Sequence, residues 1–195
     1  MRWLSLFLLA LLTLPARGEL AVRGLSPPVA GQAVVIDVRP AALCQARSVA
    51  GARCLPAAEF LDGRGRLAPW REILWLFTTV RLQGHETVIV IGDDATDRRF
   101  VAALLWLAGQ RRVESIEQPV AALLAAGWRA GVGQGRDFAR RSPYTAPMRE
   151  REIVLPGEAC PPGTVRMTDP RRALAHWVKE RLKGRSVPIL LEATV

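Results

Sequence analysis

The sequence has few of the residues that usually bind metals. Its 195 residues include two histidines and three cysteines. The cysteines do not form a C-x-x-C pair, and neither His85 nor His176 has candidate ligands beside it, whereas zinc sites usually combine closely spaced cysteines and histidines. We therefore expect neither a metal site nor a bound cofactor.

Long apolar runs are missing beyond the N-terminus. There, Arg2 is followed by about 12 apolar residues ending at Leu14, and then by Pro15-Ala16-Arg17-Gly18, with small residues at Ala16 and Gly18. The run is too short for a membrane-spanning helix, which needs roughly 20 residues, and the pattern is typical of a secretory signal peptide. We expect residues 1–18 to be a Sec-type signal peptide cleaved near Glu19, with an uncleaved anchor as the alternative.

Acidic residues are fewer than basic ones, 18 against 27, which gives a net charge of +9. The basic residues are scattered in short pairs and form no single stripe of the kind that binds nucleic acid. The arginine- and alanine-rich composition and the signal peptide together indicate the periplasm of a Gram-negative bacterium. We expect no nucleic-acid partner and no stable membrane span after cleavage. A periplasmic protein partner and a loose association with anionic lipid both stay open.

Half of the residues are apolar and 23% are charged, which favours a packed globular domain over a disordered chain. No internal repeat is visible. Short β-branched runs alternate with longer helical segments, and this order predicts an α/β domain with a mainly parallel sheet. The predicted strands cover residues 33–39, 87–92 and 113–116, and the predicted helices cover residues 69–80, 98–108 and 120–126.

The loop after the strand 87–92 is the first place to look for a functional site. Ligands of parallel α/β sheets bind beyond the carboxyl ends of the strands. The loop is rich in acidic residues, and its sequence runs Gly92-Asp93-Asp94-Ala95-Thr96-Asp97-Arg98.

Three motifs in this order resemble the rhodanese-like family, and together they cover roughly residues 24–135. The first joins Asp37-Val38-Arg39 to a later turn, the second is the strand 87–92 with Gly109 after the next helix, and the third runs from Val113 to Gly127. The resemblance implies a doubly wound, mainly parallel five-stranded sheet with helices on both faces. It also implies a sulfurtransferase-related domain. The residues that match the structural motif of the family are Asp37, Arg39, Gly51, Ala52 and Pro56.

The sequence departs from this family at the reactive position. Active members carry a cysteine directly after the central strand, where backbone N–H groups at a helix N-terminus stabilise a thiolate or persulfide. This chain has Gly92 there, and Gln118-Pro119 replaces the usual Gly-Gly. We therefore interpret residues 92–98 as a degenerate active-site loop without a catalytic residue.

The three aspartates of the loop have two interpretations. Asp93, Asp94 and Asp97 could ligate a hard cation such as calcium, although further ligands of such a site are missing. Alternatively, Asp94 or Thr96 caps the next helix and Asp97 lies in its first turn. The second interpretation is favoured.

The cysteines and tryptophans also carry predictions. The resemblance places Cys44 on a short helix that faces the core and Cys54 at the start of the next strand. The two either form a disulfide or are two buried thiols. Cys160 is the candidate for a reactive or intermolecularly paired thiol. Trp70, Trp75 and Trp106 occupy helical positions and are predicted to be core residues.

The tail is predicted to consist of a linker and loop at 141–167 and a small α/β extension at 168–195. Asp169 and Pro170 mark the start of a helix that reaches about Lys183. A terminal strand follows at 187–191, where Pro188 favours an edge position. The apolar face of the helix packs either on the domain of residues 19–140 or on a partner protein.

These observations predict an exported, catalytically inactive rhodanese-like protein that acts as a binding or accessory module in periplasmic sulfur or redox metabolism. The alternative is an active sulfurtransferase that takes sulfur from thiosulfate or a persulfide and uses Cys54 or Cys160 as its nucleophile. A metal-dependent hydrolase is disfavoured, because the sequence offers neither the histidines nor the nucleophile.

Overall fold

A computed structural model describes residues 18–29, 31–139, 142–154, 158–185 and 188–190. Apart from Gly18, the predicted signal peptide lies outside the described residues. In the described part of the chain, no helix combines the length and the hydropathy that a membrane crossing requires.

A five-stranded sheet forms the centre of the molecule, with all of its strands parallel and in the order β1-β6-β5-β2-β4. The central strand is apolar on both faces: Val88 and Val90 point into one core, and Ile89 and Ile91 point into the other. This is typical of a parallel sheet covered by helices on both sides. The strands are β1 (Glu19–Arg23), β2 (Val34–Asp37), β4 (Arg53–Cys54), β5 (Thr87–Ile91) and β6 (Arg112–Ile116).

Helices cover both faces of this sheet, as the sequence predicts. The larger core contains side chains of α2, α3 and α5, whereas the smaller one contains Val120 and Leu123 of α4. The predicted α/β fold, a doubly wound parallel sheet of five strands, is therefore confirmed. The helices are α1 (Ala41–Ala46), α2 (Trp70–Thr79), α3 (Ala95–Leu107), α4 (Val120–Ala125) and α5 (Pro170–Leu182).

The segment between β2 and α2 contains short elements that the alternation of strands and helices does not reveal. β3 (Ser48–Val49) pairs antiparallel with β7 (Ala130–Gly131). Gly51 follows with a φ of 79°, a left-handed conformation that favours glycine, and the neighbouring Ala52 is fully buried. Pro56 then precedes a 3-10 helix, Ala57–Phe60.

Helix α3 begins three residues earlier than the apolar spacing predicts. The Asp94 carboxylate accepts a hydrogen bond from the Asp97 backbone N–H at 2.9 Å. The cap of α3 therefore lies in the polar loop, which an apolar pattern does not mark.

The segment predicted as linker and loop contains regular structure. Tyr144 is buried, and its ring centre lies 5.4 Å from that of Phe77. The short strands β8 (Ile153–Val154) and β9 (Val165–Arg166) follow. Both pair with β10 (Ile189–Leu190), which is the middle strand of a three-stranded parallel sheet.

The edge position predicted from Pro188 is therefore wrong. The proline directly precedes the two-residue ladder, so its missing N–H group costs the sheet no hydrogen bond. Its carbonyl group even accepts a hydrogen bond from the Val165 N–H at 3.0 Å.

Helix α5 packs on α3 of the same chain. Trp177 is fully buried, and its ring centre lies 5.5 Å from that of Trp106. The Arg181 guanidinium lies over the Trp106 ring at 3.9 Å and forms an ion pair with Glu152. The apolar face of α5 is thus covered within the chain. One tryptophan prediction is wrong: Trp75 is 51% exposed, because it lies on the outer face of α2.

Candidate functional site

The candidate site lies at the carboxyl edge of the sheet, where three neighbouring strands end. Asp37 ends β2, Gly92 follows β5, and Glu117 follows β6. Because the strands are parallel and adjacent, the loops after them meet at one edge.

Gly92 occupies a position with little room for a side chain. A Cβ atom at this residue would lie 2.8 Å from Cγ2 of Val38 and 3.4 Å from Cγ of Arg98. The shorter distance is well below ordinary van der Waals contact. A cysteine at position 92 would therefore require Val38 to move.

The buried side chain of Arg98 forms hydrogen bonds with the backbone of the loop. Its side chain is only 2% exposed, Nη1 donates to the Gly92 carbonyl at 2.6 Å, and Nη2 donates to the Glu117 carbonyl at 2.6 Å. Burial lowers the pKa of this guanidinium. Arg98 thus joins the loop after β5 to the loop after β6.

An N–H group at the start of α3, that of Asp97, is hydrogen-bonded to a carboxylate of the same chain. The Asp94 side chain receives the Asp97 N–H, and this bond is the main reason why the pKa of Asp94 is lowered. Arg171 of α5 reaches the same place: its Nη2 lies 3.6 Å from Oδ1 of Asp94, and its Nε donates to Asp97. The tail thus contributes a cation to the loop.

Asp93 bridges two neighbouring elements. Its Oδ1 accepts a hydrogen bond from the Val120 N–H at 3.0 Å, and its Oδ2 lies 3.5 Å from Nη1 of Arg39. Each aspartate of the loop therefore contacts an N–H group, an arginine or both. In the part of the chain that the structure describes, no group of three His, Cys, Asp or Glu side chains could hold a metal ion, so the cation interpretation of these aspartates gains no support.

Asp37 and Arg39 form a buried network beside the loop. Asp37 is fully buried and accepts hydrogen bonds from Nη2 of Arg39 at 2.8 Å and from the Ser48 hydroxyl at 2.6 Å. Nη2 of Arg39 also donates to the Arg47 carbonyl at 2.7 Å. The hydrogen bond to Asp37 raises the pKa of Arg39. This network fixes the turn after β2.

A disulfide joins Cys44 of α1 to Cys54 of β4. Both cysteines are buried, and Gly133 packs directly on the bridge: a Cβ atom there would lie 2.3 Å from Sγ of Cys44. Cys160 lies in the loop before β9 and is an exposed free thiol. Of the two cysteines suggested as a relocated nucleophile, Cys54 is therefore oxidised in a disulfide and Cys160 is a free thiol.

An open cleft of about 550 Å³ lies between α1 and α4, next to the Asp93 loop. Leu43 and Leu124 contribute apolar surface from the two helices, and Arg39 and Arg47 contribute guanidinium groups. None of the described residues that line it is acidic, although Asp93 contacts Arg39 and Val120 at its edge.

Reasoning from the sequence alone missed Arg171. A signal for its role is present, because Arg171 and Arg172 lie in the first turn of α5, where the helix dipole disfavours cations. An arginine in such a position needs a carboxylate nearby. The sequence does not tell which carboxylate this is, since Asp97 lies 74 positions away.

No protein-family model matches the sequence, and no curated protein matches it. Comparison with solved structures finds SseA from Escherichia coli, a 3-mercaptopyruvate sulfotransferase described as having the "rhodanese" fold, with a TM-score of 0.54 and 12% identity over 64% of this chain and 53% of SseA. It also finds YnjE, with a TM-score of 0.51 and 18% identity over 65% of this chain and 32% of YnjE.

A variant of EanB in complex with ergothioneine gives a TM-score of 0.54 and 13% identity over 69% of this chain and 37% of EanB. The chain thus spans about a third of the length of YnjE and EanB and about half of SseA. Identities this low establish similarity of fold. Together with the parallel sheet order β1-β6-β5-β2-β4, they show that this chain contains a domain of the rhodanese-like fold.

Proposed function

We propose that this protein is an exported, catalytically inactive rhodanese-like domain that acts as a periplasmic binding or accessory module. The observation that carries the proposal is the state of the loop after β5. Gly92 provides no nucleophile, and the Asp94 carboxylate already occupies the N–H group of Asp97 at the start of α3.

A sulfurtransferase of this fold needs a stabilised sulfur anion, and this loop opposes one. N–H groups at a helix start stabilise an anion only if they are free to bind it. In this chain, the carboxylates of Asp93 and Asp94 accept hydrogen bonds from Val120 and Asp97. The negative charges of Asp93 and Asp94 would also raise the pKa of a thiol placed in this loop.

The cysteines give little support to a relocated nucleophile. Cys54 is 2% exposed and bonded to Cys44, so it has no thiol to activate. Among the three cysteines, Cys160 is the free one. The alternative function therefore depends on Cys160 alone.

Export is supported by the predicted signal peptide and by the disulfide. Structural disulfides persist in oxidising compartments such as the periplasm and are rare in the cytosol. Cys44 and Cys54 form such a bond within the core of the domain.

The test is thiosulfate:cyanide sulfurtransferase activity of the purified mature protein, with an active enzyme of this fold measured in parallel. We expect no turnover and no sulfur adduct by intact-mass measurement, either for the wild type or for Cys160→Ser. Turnover that disappears in Cys160→Ser would overturn the proposal.

A second variant distinguishes two causes of inactivity: the missing nucleophile at position 92 and the hydrogen bond between the Asp97 N–H group and Asp94. Gly92→Cys combined with Val38→Ala provides both a thiol and the space for it. We expect this variant to remain inactive, because Asp94 still occupies the N–H group of Asp97. Sulfurtransferase turnover by the variant would refute the argument from the loop.

A further inference from the structure

The cleft between α1 and α4 combines an apolar surface with unequal charge. Leu43 is 53% exposed on α1, and Val120 and Leu124 line the opposite side. The small side chains Ala46, Ala121 and Ala125 keep the space between the helices open. A ligand with a short apolar tail can therefore bury that tail between the two helices.

The charged side chains that line the cleft are two arginines, and the Asp93 carboxylate lies beside one of them, 3.5 Å from Nη1 of Arg39. The Arg47 guanidinium is exposed and has no hydrogen-bond or ion-pair partner among the described residues. Arg39 is held by Asp37 through Nε and Nη2, whereas its Nη1 contacts Asp93 only at 3.5 Å. That distance is longer than the roughly 2.8 Å of a strong charge-assisted bond, but the Asp93 carboxylate still lies beside Nη1. Arg47 is therefore the arginine that is open to an anion.

We propose that this cleft binds a small organic anion with an apolar tail. A carboxylate or a similar head group would lie against Arg47, whose guanidinium faces no carboxylate of the described residues, and the tail would lie against Leu43 and Leu124. This assignment rests on the proposed function as a binding module and names the chemical class of its ligand. The size of the cleft, about 550 Å³, suits a molecule of this kind.

The network of Asp37 and the disulfide order the backbone around Arg47. Arg39 is fixed by bonds to Asp37 and to the Arg47 carbonyl, and the Cys44–Cys54 disulfide fixes α1. A ligand would therefore have to order the Arg47 side chain but would not have to rearrange the backbone around it.

The experiment is an NMR titration of the mature protein with three probes of similar shape: hexanoate, hexanamide and hexylammonium. We expect hexanoate to shift the amide signals of α1 and α4 with a Kd on the order of 1 mM. Hexanamide is expected to bind at least about 5-fold more weakly, because it lacks the charge-assisted bonds. Hexylammonium is expected not to shift these signals.

Two variants and a control locate the site. Arg47→Gln is expected to weaken hexanoate binding about 5-fold, which is close to the effect of one exposed charged contact, and to leave hexanamide binding unchanged. Leu43→Ser is expected to weaken both probes. Arg71→Gln on the exposed side of α2 removes the same charge elsewhere and is expected to change neither.

Three results would overturn the assignment: equal binding of hexanoate and hexanamide, equal effects of Arg47→Gln and Arg71→Gln, or no saturable shift of the cleft signals. Each of these, in a protein without sulfurtransferase turnover, refutes the cleft and leaves the binding module standing. Turnover that depends on Cys160 instead refutes the proposed function itself. The two failures are therefore distinguishable.

Discussion

Two arginine–carboxylate clusters flank the loop after β5, and they differ in burial. In the first, Asp37 is fully buried and the Arg39 side chain is 13% exposed. In the second, Arg171 is 41% exposed and reaches from the tail to Asp94 and Asp97. The first cluster joins residues of one continuous segment, from Asp37 to Ser48, whereas the second connects two distant segments.

The difference separates two roles for the same pair of residue types. A buried carboxylate that loses its partner is left without water and without hydrogen bonds, so its network must stay complete. An exposed pair exchanges its bonds with water at little cost. Because Trp177 and Leu174 already bury the apolar face of α5, the second cluster orients the tail more than it stabilises it.

Removing the buried carboxylate is expected to have the largest effect. Asp37→Asn leaves Arg39 with an amide and disturbs the bond to Ser48, and we expect the free energy of unfolding to fall by about 3 kcal/mol. Denaturation by urea measures it. The control is Asp94→Asn, which preserves the capping hydrogen bond of α3 and is expected to cost less than about 0.5 kcal/mol. Equal losses in the two variants would contradict the distinction between the clusters.

Removing the disulfide tests how much a covalent bond stabilises the segment that contains the buried cluster. The bridge closes a loop of ten residue positions between α1 and β4, and the double variant Cys44→Ser/Cys54→Ser is expected to lose about 2 to 3 kcal/mol of stability. Urea denaturation with and without reductant checks this value, since reductant should destabilise the proteins that keep the disulfide and leave the double variant unchanged. Cys160→Ser serves as the control, because that thiol is exposed and free. A double variant as stable as the wild type would show that packing alone holds α1.

The sequence predicts the central part of the fold because the signals there are local and strong. The β-branched run of β5 and the spacing of Asp37 and Arg39 need no information from distant residues. The same holds for the cap of α5, where Asp169 precedes Pro170 and accepts a hydrogen bond from the Arg172 N–H. Residues close together in the sequence are therefore sufficient to predict these elements.

What the sequence does not predict depends on pairing across long distances. β8, β9 and β10 have two residues each, which is too short for a periodic pattern. The middle position of β10 follows from its partners, and Pro188 alone favours the wrong position. The loop after β5 shows the same limit: its three aspartates are visible in the sequence, whereas the arginines that contact them come from β2's turn and from α5.

The smallest expected effect concerns the exposed cluster. Arg171→Gln removes the cation beside Asp94 and Asp97, and we expect a loss of at most about 1 kcal/mol at pH 7 and low salt, falling as salt screens the charges. Arg172→Gln is the matched control, because Arg172 lies next in the chain, is 86% exposed and forms a local (i,i+3) ion pair with Asp169. Urea denaturation at several salt concentrations compares the two variants.

The pH dependence of this variant follows from the lowered pKa of Asp94, whose main cause is the Asp97 N–H and to which Arg171 adds. A carboxyl whose pKa is lower in the folded state stabilises the fold at pH values above its unfolded pKa, about 3.9, and this contribution is lost as the pH falls through the folded value. The difference between wild type and Arg171→Gln should therefore shrink below about pH 4. If the free energy of unfolding differs between wild type and Arg171→Gln by the same amount at pH 7 and pH 2.5, Arg171 acts through packing of its side chain. The exposed cluster would then not stabilise the protein through its charges.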